Sequence, residues 1–290
     1  MRTDNPLRGA LLISGAGLMF ASMGALIRFA SQQLDNELVV FLRNLFGLLF
    51  LLPLILRQGW GATLRTRRLP LHLVRSLFGL ASMYCFFFAI AHLPLADAVL
   101  LNFTAPLFIP FIAILWLKER VSVQLALAIL IGFVGVIFIL KPGSGLYSRV
   151  ALVGLASGAF AALTMVALRR LSSSEPAFRV VVYYALTCTA VSLAPAVLAW
   201  RTPPLAAVAQ MAGAGLFATA GQYLLSRGYG YAPASQVGPF VYVAVVFAAA
   251  YGWLFWTEVP DWMSLSGTVL IVLAGVLAVR RETVPAGNEP

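Results

Sequence analysis

The chain is poor in the side chains on which most soluble chemistry depends. Two lysines, two histidines, two cysteines and ten acidic residues are spread over 290 positions. Neither Lys118 nor Lys141 follows a glycine, so there is no phosphate-cradling Gly-Lys loop and ATP hydrolysis by that route is excluded. Neither lysine lies at the middle of an apolar run, which excludes a retinal-type Schiff base. His72 and His92 stand near opposite ends of one apolar run, and no His, Cys and carboxylate group has metal-ligand spacing, so no metal or cofactor is expected. Cys85 and Cys188 both fall inside apolar runs, so no disulfide framework is implied. The acids avoid mid-depth. Asp35, Glu37, Asp97, Glu258 and Asp261 fall near one end of the apolar runs and Glu119 near the other, while Asp4, Glu175, Glu282 and Glu289 are in tails or loops. A proton-coupled carrier usually keeps a carboxylate deep in the membrane, and none is present here. With no Ser-His-Asp set and no paired carboxylates at mid-depth, an enzyme is not expected.

What is abundant is apolar surface. The chain is 61% hydrophobic, 10% charged and has a mean hydropathy of +0.92, the profile of a polytopic membrane protein. Runs of crossing length occupy roughly 9–29, 38–56, 72–92, 95–117, 122–140, 149–169, 179–200, 205–229, 233–257 and 262–279. Their length and their Leu, Ala and Phe content predict helices rather than barrel strands. The first run follows Arg2 and Arg8 but is too long for a signal peptide, and is expected to remain as a helix.

The net charge of +10 points to topology rather than to nucleic acid. With the N-terminus inside, fifteen basic residues fall on the inner side and five (Arg28, Arg43, Lys141, Arg149, Arg201) on the outer. That bias predicts an inner-membrane protein with both termini cytoplasmic. The polar tail 282–290 is expected to be a disordered cytoplasmic segment.

The sequence also contains one unit twice. Pro94–Glu119 reads PLADAVLLNFTAPLFIPFIAILWLKE and Pro233–Glu258 reads PASQVGPFVYVAVVFAAAYGWLFWTE, 139 residues apart. At that offset Tyr84 answers Tyr223 and Phe103 answers Tyr242. At an offset of 141, Arg8, Gly17, Ala21 and Arg28 answer Arg149, Gly158, Ala162 and Arg169. Five spans per half is an odd number, so the halves, 1–140 and 146–281, are expected to be inverted repeats joined by the KPGSG loop. Small residues at Gly17, Ala21, Gly154, Gly158 and Ala162 predict close helix crossings. Pro106, Pro110 and Pro239 predict interruptions in the fourth and ninth spans.

Inverted repeats of this kind build secondary transporters with a substrate site at the midplane. The candidate substrate-binding residues are Tyr84, Asn102, Phe103, Gln222, Tyr223 and Tyr242, polar or aromatic groups at depth on spans 3, 4, 8 and 9. Aromatic walls with few polar groups suit a small amphipathic organic metabolite, amino-acid-like, vitamin-like or cationic. Arg28, Arg43, Arg75 and Asp97 are the candidate gating or coupling residues, with Arg28 or Arg43 expected to meet Asp35, Glu37 or Asp97 at the outer mouth. Protons are a candidate coupling ion. The expected partners are an organic solute and the bilayer, with the chain as monomer or homodimer. A receptor or assembly subunit is the alternative class.

The duplicated unit, together with Arg43 in FLRNLFG and Arg75 in VRSLFGLAS, resembles the drug/metabolite transporter superfamily and its EamA-type members. The resemblance implies ten helices in two inverted five-helix repeats, each with a Glu-containing motif ending its fourth helix. It also implies a metabolite, vitamin, amino-acid or drug substrate. The second copy departs from the pattern, since Thr257 stands where a basic residue precedes the Glu and Pro260 follows. That departure makes Glu258 a repeat marker rather than an expected working residue.

Overall fold

The structure is a computed structural model that describes residues 5–109, 112, 123–141, 146–172, 174–229, 231 and 238–281. Among the described residues ten helices follow one another: α1 (Pro6–Ala30), α2 (Asn36–Gln58), α3 (Leu69–His92), α4 (Leu95–Asn102), α5 (Val123–Leu140), α6 (Leu146–Ser172), α7 (Ala177–Leu198), α8 (Leu205–Tyr229), α9 (Val243–Trp256) and α10 (Trp262–Arg281). A single turn, Trp60–Leu64, lies between α2 and α3. Five of the ten (α1, α2, α3, α6 and α7) contain windows long and apolar enough to cross a membrane by themselves, and four others contain shorter apolar stretches. Ten crossings return the chain to the side on which it began. We call that side the terminal face and the opposite side the far face.

Local chemistry sets the ends. The Asn5 side chain accepts the Arg8 N–H at 3.0 Å, and Pro6 occupies the first turn of α1, where a missing N–H is harmless. Gly59, at φ 81°, turns the chain out of α2. Pro94 precedes α4, which leaves only Leu93 and Pro94 between α3 and α4. Thr257, at φ 53°, ends α9 in the left-handed region.

The packing obeys the sequence repeat. The most extensive contact joins α1 to α8, and the next joins α3 to α6, which is the same pair after exchange of the halves. The pairs α5·α10, α2·α7 and α4·α9 map onto themselves under that exchange, and α1·α9 answers α4·α6. This reciprocity is what a pseudo-twofold between two inverted five-helix repeats requires. At two related crossings glycine permits the approach. A Cβ on Gly17 would stand 3.0 Å from the Ala244 backbone nitrogen, and one on Gly158 would stand 2.7 Å from the Leu101 carbonyl. Leu130, Ile137, Val246 and Leu254 are exposed on the outer surface, and Trp200, Trp253 and Trp262 lie exposed towards the far face, as a bilayer with its aromatic belt accommodates.

Candidate functional site

The fourth helix is interrupted, and the ninth opens on a 3-10 turn at the matching place. α4 stops at Asn102, the chain turns through Phe103 and Thr104, and helix resumes at Ala105. Pro106 has no N–H to give the Asn102 carbonyl, and the Leu107 N–H turns to Thr104 O at 2.8 Å, so the Phe103 carbonyl loses its helical donor. In the other half a 3-10 turn, Gly238–Tyr242, precedes α9. The break in α4 and this turn meet. The Phe103 and Tyr242 rings are edge to face with centroids 6.1 Å apart, and the Tyr242 hydroxyl donates to the Phe103 carbonyl at 3.4 Å. These residues are exact repeat mates in sequence, 139 apart, brought together by the pseudo-twofold.

Beside this junction Asn102 Nδ2 donates to Ser157 Oγ at 3.1 Å and to Ser82 Oγ at 3.4 Å, and Ser82 Oγ donates to the Ser157 carbonyl at 2.8 Å. Polar groups at this depth need such partners, because lipid supplies none. Tyr84 is half-buried and packed against the main core, and its hydroxyl has no hydrogen-bond partner among the described residues.

The far face is closed by contacts between halves. Arg28 of α1 forms an ion pair with Glu258, and its guanidinium lies 4.5 Å from the Trp256 ring centre. Glu258 Oε2 also accepts the Leu95 N–H at 3.0 Å, at the start of α4, where a carboxylate complements the helix dipole. Gly252 makes room for it, since a Cβ there would stand 2.6 Å from Oε2. Asp97, only 4% exposed, accepts from the Tyr147 hydroxyl at 2.5 Å and from Ser264 Oγ at 3.2 Å. Lys141 pairs with Asp261 at 2.8 Å. That hydrogen bond, with the Ser264 backbone N–H, holds the Asp261 carboxyl below the usual carboxylate range.

A second charged cluster sits on the terminal face. Glu175 accepts from Thr66 Oγ1 at 2.5 Å and from Arg179 Nη1 at 2.6 Å, and these bonds, Thr66 foremost, hold its carboxyl below the ordinary value. Arg179 Nε also donates to the Thr63 carbonyl at 3.1 Å, and the Tyr183 hydroxyl donates to the Leu64 carbonyl at 2.7 Å. The loop after α2 is thereby fastened to α7.

Several expectations need correcting. Tyr223 is 60% exposed on a stripe of α8 shared with Leu205 and Leu216, and its hydroxyl accepts from Arg227 at 2.9 Å. Gln222 is exposed as well, so neither joins the Asn102–Phe103–Tyr242 junction. α8 spends its glycine-rich sides on α1 and α2, which turns Tyr223 outward. Arg28 meets Glu258 rather than Asp35, Glu37 or Asp97, and Asp35 instead faces Arg201 at 3.8 Å. Glu258 is therefore a working contact, because the left-handed Thr257 turns it back towards α4. Arg43 bonds Asn44 Oδ1 at 3.0 Å, and Arg75 stacks on Tyr184, so both reach into the bundle. Tyr147 and Ser264 went unnoticed in the sequence, and nothing in spacing marks them as partners of Asp97. Glu119 and Pro110 lie outside the described residues.

Comparisons with known proteins give the family. The model of the EamA-like transporter family matches residues 7–141 and 148–280. The pseudopaline exporter of Pseudomonas aeruginosa is 36% identical over 279 residues, covering 94% of this chain and 96% of the exporter. The riboflavin transporter of Vibrio cholerae is 29% identical, covering 98% and 97%. The S-adenosylmethionine uptake transporter of Rickettsia bellii is 27% identical, covering 88% and 87%. A crystal structure 21% identical in sequence superposes with a TM-score of 0.65 over 94% of this chain and 98% of the other, a likeness of fold. The chain belongs to the EamA-like transporter family, whose members carry solutes across membranes in two repeats of five helices.

Proposed function

We propose that the protein is an inner-membrane secondary transporter for a small amphipathic organic metabolite, working by alternating access, with the terminal face in the cytoplasm. The observation that carries this reading is the meeting of Phe103 and Tyr242, repeat mates at the break of α4 and the 3-10 start of α9. Broken helices leave backbone groups free for a solute, and a site on the pseudo-twofold can be reached from either side by rocking one repeat on the other. Asn102, Phe103 and Tyr242 form its walls, with the unpartnered hydroxyl of Tyr84 a further candidate. The names of the relatives support the substrate class. Pseudopaline, riboflavin and S-adenosylmethionine are all small organic molecules, and they differ enough that none transfers to this chain.

In this reading the far-face contacts are the closed outer gate. Arg28–Glu258 and Asp97–Tyr147–Ser264 join the halves and must part when the mouth opens. Asp97 is the coupling candidate, because its surroundings change with the gate, and a proton couples only if the two states bind it unequally. Purified protein in liposomes, incubated with a small-molecule extract of bacterial cells, should concentrate particular solutes detectable by mass spectrometry. Vesicles that accumulate nothing beyond protein-free controls would favour a receptor or assembly subunit. An imposed proton gradient that stimulates wild type and Asp97→Asn equally removes Asp97 from the coupling role.

A further inference from the structure

Two positive charges lie inside the bundle with no negative partner among the described residues. Arg43 extends from α2 and Arg75 from α3, and the ionisable groups acting on both guanidinium groups are the Tyr184 phenol and the Cys188 thiol of α7. The Arg75 guanidinium lies 4.0 Å from the Tyr184 ring centre. Neither arginine makes an ion pair among the described residues. Arg43 Nε, Arg75 Nε and Arg75 Nη1 are buried without a hydrogen-bond partner, although both side chains keep some accessible surface. Three more buried polar atoms on the same two helices lack a partner: Asn44 Nδ2, next to Arg43; Ser76 Oγ, next to Arg75; and the Tyr84 hydroxyl, which shares the Cys188 thiol with both arginines as an electrostatic neighbour.

The chemistry of these orphans is one-sided. Guanidinium and amide nitrogens can only donate, and the two hydroxyls can donate as well. The Asn44 carbonyl, the obvious acceptor nearby, is already taken by Arg43. What fits the gap is therefore rich in acceptors and negatively charged. Water cannot neutralise two cations, and an unpaired buried charge costs more than any other buried group. Intramembrane arginines that neither snorkel nor pair usually face a functional cavity.

We infer that Arg43 and Arg75 bind the carboxylate of the transported solute, so that the substrate is a small organic anion. This rests on the transporter reading above and narrows its substrate class. The planar, fork-like guanidinium suits bidentate capture of an oxyanion, the half-buried Tyr184 and Tyr84 rings suit its apolar part, and Asn44 and Ser76 supply further donors. A phospholipid headgroup offers the same oxyanion chemistry and is distinguished experimentally.

Succinate serves as the probe, with succinamide as its uncharged counterpart and sodium chloride at equal ionic strength as control. For the purified full chain in detergent, succinate should raise Tm where succinamide and chloride do not. Arg43→Gln and Arg75→Gln should each weaken that response at least about tenfold, while their ligand-free Tm stays level or rises, since a buried unpaired charge has been removed. A merely structural arginine would lower the ligand-free Tm instead. Arg43→Lys and Arg75→Lys, which keep the charge and lose the fork, should retain part of the response. Equal effects of succinate and succinamide, or an unaltered succinate response in both glutamine variants, overturn the assignment without the variants having to transport. A Tm rise confined to phosphatidylglycerol, absent with phosphatidylcholine and with succinate, assigns the pair to lipid and overturns it too. Vesicles that accumulate only neutral or cationic solutes overturn the anion while leaving transport standing, whereas vesicles that accumulate nothing overturn transport itself.

Discussion

The far face and the terminal face each hold a carboxylate bound by a cation and by neutral donors, yet they fasten different things. On the far face Glu258 joins Arg28 to the first backbone N–H of α4, and Asp97, also on α4, reaches Tyr147 and Ser264. Every one of these contacts touches a broken helix or its last turn. On the terminal face Glu175 joins Thr66 and Arg179, and its neighbours bind the 59–68 loop to α7 without touching described parts of α4 or α9. Charge at a mouth is therefore no guide to gating by itself. What separates a latch from a clasp is whether the elements it ties move relative to one another.

The largest expected effect breaks the latch. Glu258→Ala removes an ion pair and a helix-end acceptor together, at a cost of at least about 2 kcal/mol to the far-closed state, about a thirtyfold change in its population. Cysteine accessibility at Ala96 should rise accordingly. A double-mutant cycle with Arg28→Ala should show strong coupling, and additivity would mean that the pair contributes nothing.

Next comes the close crossing. Gly158→Ala forces a methyl against the Leu101 carbonyl and should destabilise by roughly 1–3 kcal/mol, read as a lower Tm; Gly17→Ala should do likewise at the related contact with Ala244. Unequal losses would mean that the two repeats are not equivalent structurally.

Breaking the clasp should lower stability and spare transport. Glu175→Gln loses charge-assisted bonds worth roughly 1–3 kcal/mol at neutral pH. Because the native Glu175 carboxyl titrates below its unfolded value of about 4.3, its contribution is complete above that pH and disappears as pH falls through the lowered native value. The Tm difference between wild type and Glu175→Gln should therefore shrink with acidification below about pH 4.3. A difference that persists at lower pH would mean that the carboxylate charge is not what stabilises the loop.

The smallest effect belongs to Arg201, 84% exposed and 3.8 Å from Asp35. Arg201→Ala should change stability by less than about 1 kcal/mol. A large loss of transport there would enlarge the gate beyond α4 and α9.

The parts readable in the sequence are those that repeat. Apolar length marks the ten spans, and the 139-residue offset pairs Phe103 with Tyr242. Gly17 and Gly158 were visible for the same reason. Side-chain direction was not. Tyr84 and Tyr223 share the offset but not the environment, because α8 turns its glycines inward and Tyr223 out. The depth of an arginine Cα says little about where a flexible stem of four bonds carries the guanidinium, and the heads of Arg43 and Arg75 lie within the bundle. Glu258 was discounted for the Thr257 before it, and the left-handed turn at Thr257 is what aims it at α4. Tyr147 and Ser264 are single polar residues without pattern, joined to Asp97 only by folding.

The shared use of Glu258 also has a kinetic consequence. While it is in place, one carboxylate neutralises both a guanidinium and the positive end of a helix. Under the alternating access proposed above, withdrawing it exposes Arg28 and the N-terminus of α4, while the same opening frees Asp97 in the first turn of that helix. The entrance would then present a cation and a carboxylate side by side, a dipolar rim whose pull on an arriving solute weakens as ionic strength rises.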